Sequence, residues 1–235
     1  MSQAAATGQA SVRAEAILGH HFVRADLLTE ALTHRSAAHG PGARRHAGMS
    51  NERLEFVGDR VLGLLMAEWL AEHFPAEQEG ALGRRLAYLV SQPVLAGIAE
   101  HAGLPDVLSV APGESRAGVR RRATVLADAM EAVIGALFLD GGLVPARRFV
   151  RQAWGAAMAA QAEPPKDSKT ALQEWAQGRG LPLPQYDVVS REGPPHAPVF
   201  VIRVAVGGQA GQGSAGTKRA AEQEAATDLL GKLGA

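Results

Sequence analysis

Residues 126 to 142, LADAMEAVIGALFLDGG, are apolar or small around almost the whole circumference of a helix, yet Asp128 and Glu131 stand one turn apart within them. A helix with no polar face to show to water is stable only when other elements enclose it. The segment therefore predicts a central helix and, around it, a helical domain. Two unpaired carboxylates inside such a core would cost several kcal/mol. They must be protonated, paired with arginine or bound to a metal.

A second helix narrows these choices. In NERLEFVGDRVLGLLMAEWL, residues 51 to 70, Glu52, Glu55 and Asp59 fall within an arc of roughly 60° and span about 10 Å of helix axis. Leu54, Val57, Val61 and Leu65 form the apolar stripe beside them, and Gly58 allows another helix to approach closely. By itself this arc reads equally well as an ordinary solvated acidic face. Two helices that both offer clustered acids point instead to a shared ion. Hard oxygen donors without His or Cys favour Mg²⁺, with Mn²⁺ as a substitute, over Zn²⁺. The chemistry that such a set suits is phosphoryl transfer.

Apolar residues at three- and four-residue spacing continue through Ala14 to Leu18, Leu27 to Leu32, Leu82 to Leu95 and Val125 to Leu139. The pattern changes after AEPPKDS, where two prolines and flanking charges forbid helix continuation. Residues 1–10 then read as a loose tail, 11–161 as an all-α catalytic domain, 162–167 as a linker and 168–234 as a small α+β domain. In the small domain, Ser168 opens a helix that runs to Arg179. Strands follow over Gln185 to Arg191, Pro198 to Val206 and near Val206 to Gln212, and a last helix over Thr217 to Leu233. The order is α-β-β-β-α. GQGSAG, residues 211 to 216, formally satisfies a dinucleotide-binding pattern, but only 19 residues follow Gly216. That is too short for the return strand and ribose-binding acid of a βαβ unit, so no nucleotide cofactor is expected and the segment reads as a mobile loop.

Charge sets a limit on any polyanion-binding role. Lys+Arg and Asp+Glu number 24 each, with 16 basic and 17 acidic residues before Pro164 and 8 and 7 from it onward. Affinity for nucleic acid must come from local placement, for which Arg44-Arg45, Arg120-Arg121-Arg122 and Lys218-Arg219 are candidates. Apolar runs around Val61 to Leu70 and Val133 to Leu139 are too short for a membrane span of about 20 residues. With no cysteine and no secretory pattern in the first ten residues, a cytoplasmic protein is expected. The histidines His20, His21, His34, His39 and His46 lack a helical ligand pair, and no zinc site follows from them.

NERLEFVGDRVL closely resembles the signature helix of the bacterial ribonuclease III family, DAMEAVIGALFLDGG resembles its second catalytic helix, and ALTHRS, residues 31 to 36, is also similar to the family. The resemblance implies that Glu55, Asp59, Asp128 and Glu131 form a metal-binding cluster, with Asp59 and Glu131 the most critical. It implies supporting roles for Glu52 and Glu79, a homodimer formed through the signature helix, and staggered cuts in double-stranded RNA. Arg60 departs from the small residue usual after the aspartate. It either pairs with a nearby acid or lies at the dimer seam.

KTALQEWAQ, GPPHAPVF and GTKRAAEQEAA resemble the landmarks of a double-stranded RNA-binding domain. What the resemblance implies is minor-groove contact by Gln173, Gln177 and His196, with Lys218 and Arg219 on phosphate at a helix N-terminus. The expected activity is Mg²⁺-dependent hydrolysis of duplex RNA in ribosomal precursor, messenger and other RNA processing. The competing reading is a non-catalytic double-stranded RNA-binding protein. A small-molecule phosphohydrolase would leave the second domain unexplained.

Overall fold

The structure, a computed structural model of the chain, describes residues 3–38, 49–161, 168–194 and 198–234. The chain divides into two compact units, Met1–Pro164 and Pro165–Ala235.

The first unit is helical: α1 (Gln3–Leu18), α2 (Ala25–Ala31), α3 (Arg35–Ala38), α4 (Glu52–His73), α5 (Glu79–Leu89), α6 (Gln92–Ala102), α7 (Pro112–Arg116), α8 (Ala123–Gly141), α9 (Leu143–Ala153) and α10 (Gly155–Ala159). Helix α8 is central. Leu126, Ala127, Met130, Ala132, Gly135 and Leu137, which together go right round it, are all buried. Helices α2, α4, α6 and α9 enclose it.

Two local expectations are corrected. Helix α1 begins at Gln3, inside the stretch expected to be a loose tail, because QAAATGQA is rich in alanine, the best helix former. The run Leu82 to Leu95 is two helices, broken at Val90 and Ser91. Pro93 lies in the first turn of α6, where a missing N–H is harmless, whereas in mid-helix it would break a hydrogen bond.

The second unit consists of α11 (Ser168–Gln177), β1 (Gln185–Glu192), β2 (Val199–Val206), β3 (Gln209–Ala215) and α12 (Lys218–Leu233). The strands form an antiparallel sheet in the order β1-β2-β3. Ile202 and Val204 of β2 close a core with Leu172 and Ala176 of α11 and with Ala221, Ala225 and Leu229 of α12.

The glycine-rich segment is not the mobile loop expected. Most of it lies in β3, paired along β2, with Gly211 and Gly213 facing α12. A Cβ at Gly213 would meet the Ala225 nitrogen at 2.3 Å, and one at Gly211 the Ala225 carbonyl oxygen at 2.5 Å. Alternate glycines let the helix backbone lie directly on the strand. The pattern that imitates a phosphate-binding motif is a packing device. The expected linker, 162–167, lies outside the described residues.

Candidate active site

The two acid-bearing helices meet at a pair of glycines. A Cβ on Gly58 of α4 would stand 1.7 Å from the Glu131 carbonyl oxygen, and one on Gly135 of α8 would stand 2.2 Å from the Leu54 carbonyl oxygen. No side chain larger than hydrogen fits at either position without moving a backbone. This contact brings the arc of α4 that carries Glu55 and Asp59 against the turn of α8 that carries Asp128 and Glu131.

The acids act on one another across that crossing. Burial pushes the Glu131 carboxyl up to about 7, and repulsion from Asp59, Glu55 and Asp128 adds to it. Burial likewise raises Glu55, with repulsion from Asp128, Glu52 and Asp59, and it raises Asp128, where His34 and Arg35 pull the other way. The burial is partial. Glu55, Asp128 and Glu131 are half-buried and Asp59 is exposed, so the cluster opens to solvent. Among the described residues, no three of His, Asp and Glu stand close enough to hold an ion as they are. Four like-charged groups without a cation repel, and that repulsion adds to burial in raising Glu55 and Glu131.

Glu52, at the start of α4, is exposed and accepts a hydrogen bond from Ser50 Oγ at 2.8 Å, and its charge reaches Glu55 and Asp128. Glu79 is exposed at the first turn of α5 and is not among the charges that act most strongly on the cluster. His34 and Arg35 belong to the site, although sequence reasoning gave them no role. Residues 32 to 34 are clamped: Ser109 N donates to the Leu32 carbonyl at 2.8 Å, His34 N to Ser109 at 3.0 Å, and Asn51 N to Thr33 at 3.0 Å. The last bond ties this strip to the residue before α4. The sequence signals were a polar string, THRS, directly after an apolar helix, and the family likeness of ALTHRS.

In the second unit, Gln173, Lys218 and Arg219 line one groove, which Lys169 and Tyr186 also border. Gln177 is exposed at the end of α11 and is not part of that lining, and His196 lies outside the described residues. Lys169 is a cation that sequence reasoning missed. Its Nζ stands 2.5 Å from Glu222 Oε2 and 4.7 Å from the Tyr186 ring centroid. Glu222, largely buried, also lies 3.9 Å from Lys218 Nζ, so one carboxylate organises two lysines from different helices. Thr217 caps α12 by accepting from Ala220 N at 3.2 Å.

A family model described as "Ribonuclease-III-like" matches residues 24–156, and the double-stranded RNA binding motif matches residues 168–233. The chain is 47% identical over 220 residues to a protein named Ribonuclease 3 from Cereibacter sphaeroides, covering 93% of each. The chain belongs to the ribonuclease III family. A second relative of that name, from Phenylobacterium zucineum, is 46% identical over 214 residues, 91% of this chain and 88% of its own. A solved nuclease domain of ribonuclease III from Campylobacter jejuni superposes with a TM-score of 0.54 at 33% identity. It covers 61% of this chain and 97% of its own, and is described as flexible in a region involved in dimer formation.

Within this ribonuclease III fold, the structure shows the first of the two readings of Arg60. Its guanidinium pairs with an acid, donating from Nη1 to Asp59 Oδ2 at 2.8 Å. The histidines serve as struts: His20 meets the buried Asp140 at 2.7 Å and His21 meets Glu15 at 3.0 Å, while His39 and His46 lie outside the described residues, as do Arg44 and Arg45. Arg121 is engaged by Glu100 and Asp106, whereas Arg120 and Arg122 have no partner among the described residues.

Proposed function

We propose that this double-stranded RNA endoribonuclease works with Mg²⁺, for which Mn²⁺ substitutes, and leaves 5′ phosphates and staggered 3′ overhangs. Its substrates would be ribosomal precursor, messenger and other RNAs of the cytoplasm. The observation that carries the reading is the glycine crossing of α4 and α8, which gathers acids from two helices at a solvent-facing edge. In the same chain, a double-stranded RNA binding motif follows.

The donor set fits a hard divalent cation. Four carboxylates with no sulfur or imidazole among them, three with raised affinity for protons, are what a missing positive charge would relieve. Glu55, Asp59, Asp128 and Glu131 would hold the ion, and Glu52 and Glu79 would support it. When bound, the ion supplies Lewis acidity to the phosphate and lowers the pKa of an attacking water. The protein's own part is placement. The crossing fixes the acids of α4 relative to those of α8, and Arg35 moderates the charge on Glu55 and Asp128.

Gln173, Gln177 and His196 would read the minor groove by shape, with Lys218 and Arg219 on phosphate. Local contacts of this kind allow a chain of zero formal net charge to bind a polyanion. A homodimer would form through α4, on which Phe56 and Leu64 are 61% and 57% exposed. Large apolar side chains exposed on one helix are costly unless covered. We place the helical domain from α1 to residue 161 and the small domain at 168–234, joined by 162–167. Among the described residues, no helix is long and apolar enough to cross a membrane.

End-labelled duplex RNA in Mg²⁺ provides the test. Wild-type protein should give paired, staggered cuts, and Glu131→Gln should bind the duplex without cutting it. A wild-type protein that binds but never cuts would favour the non-catalytic RNA-binding reading.

A further inference from the structure

Adjacent residues on a helix diverge by roughly 100°, so Arg60 can reach Asp59 only by folding back across the surface of α4. Phe56, one turn earlier, supports that path. The Arg60 guanidinium carbon stands 3.9 Å from the centroid of the exposed Phe56 ring. The same Nη1 that donates to Asp59 Oδ2 at 2.8 Å also donates to the Phe56 carbonyl oxygen at 3.0 Å. The charge extends further, since Arg60 acts on Glu131 across the helix crossing and opposes the repulsion that Glu131 receives from Asp59, Glu55 and Asp128. Arg60 therefore touches one acid of the cluster and stabilises the charge on another.

We propose that Arg60 is a resident counter-cation that competes with the divalent ion for Asp59, and so sets the metal concentration at which the site fills. The inference rests on the reading of the acid cluster as a metal site. An arginine donating to a carboxylate oxygen occupies a lone pair that a cation would use, and the two positive charges repel. A guanidinium is well suited to this position. It is planar, more weakly hydrated than an ammonium, and stands over an aromatic ring, so it keeps its place where a lysine would wander. Both partners are more than half exposed, at 59% for Arg60 and 52% for Asp59. Solvent screening keeps the competition modest, so the metal is weakened by about two- to fivefold rather than excluded. In the metal-free protein Arg60 relieves repulsion in the cluster. In the loaded protein it is redundant.

The test is isothermal titration calorimetry of the full chain with MgCl₂ and with MnCl₂, without RNA, together with thermal unfolding with and without each ion. Wild type is compared with Arg60→Ser and Arg60→Lys. Arg60→Ser should tighten metal binding by about two- to fivefold. It should also widen the rise in Tm that the ion produces, because the variant loses stability only when metal-free. Arg60→Lys should fall between the two, and it carries the comparison if the serine variant fails to fold. Unchanged or weaker metal affinity in the variants, with wild type binding the ion, would overturn the inference and leave the metal site standing. An equal loss of Tm with and without the ion would show a merely structural arginine and also overturn it. A wild type that binds neither ion would overturn both readings.

Discussion

Gly58 and the Glu131 carbonyl oxygen lie so close that a Cβ on the glycine would stand 1.7 Å from that oxygen. The contact ties the backbone of α4 to the residue of the cluster whose carboxyl is pushed furthest, so packing and chemistry share one point.

Gly58→Ala should therefore affect both. Overpacking costs about 1–3 kcal/mol, and a clash with backbone belongs at the upper end because a carbonyl cannot rotate aside as a side chain can. Denaturant unfolding should show that loss. The surviving folded fraction should cut duplex RNA poorly, since separating the helices by a fraction of an ångström spreads the acids.

Glu131 predicts a pH dependence of stability in metal-free protein. Its folded value, about 7, lies above its ordinary 4.5. Between those values the folded state holds more protons than the unfolded, so this group's contribution to stability falls as pH rises from 4.5 to 7 and is level above. Glu131→Gln should remove that decline, and saturating Mg²⁺ should reverse it in wild type. Thermal unfolding at a series of pH values, with and without Mg²⁺, checks both.

The groove of the second unit separates two kinds of RNA contact. Lys218→Ala should weaken binding and lower the slope of log affinity against log salt by about 1, as for one lost phosphate contact. Gln173→Ala should weaken binding while leaving the slope unchanged, because an amide releases no counterion. Filter binding over a salt series distinguishes them.

Arg121 and Arg122 are neighbours in sequence with different expected effects. Arg122, which has no partner among the described residues and directly precedes α8, would meet the RNA backbone, and Arg122→Ala should then lower the salt slope by about 1. Arg121 is held by Glu100 and Asp106, so Arg121→Ala should leave the slope alone and change stability by no more than about 1 kcal/mol.

Gly213→Ala should unfold the small unit selectively, since its Cβ would meet the Ala225 nitrogen at 2.3 Å. Far-ultraviolet circular dichroism and duplex-RNA affinity should fall together, while the helical unit retains its own unfolding transition.

These positions mark where the sequence was legible. The circumference of residues 126 to 142 required a central helix, and α8 is one, because an all-round apolar surface has nowhere else to go. The arc of Glu52, Glu55 and Asp59 was visible because helix periodicity is local. GQGSAG was misread because glycine reports only that space is short, not whether a phosphate, a turn or another helix uses it. In β3 the occupant is α12.

The sequence by itself determined the helical unit with its acids at turn spacing, the change to strands after the double proline, and membership of a family through long runs of matching residues. Only the tertiary structure decided that His34 and Arg35 stand beside those acids, that Lys169 joins Lys218 through Glu222, and that Arg60 turns back onto Asp59. The first two are relations between residues far apart in the chain, set by packing that no local pattern records. The third is a choice of rotamer, which the exposed ring of Phe56 makes favourable.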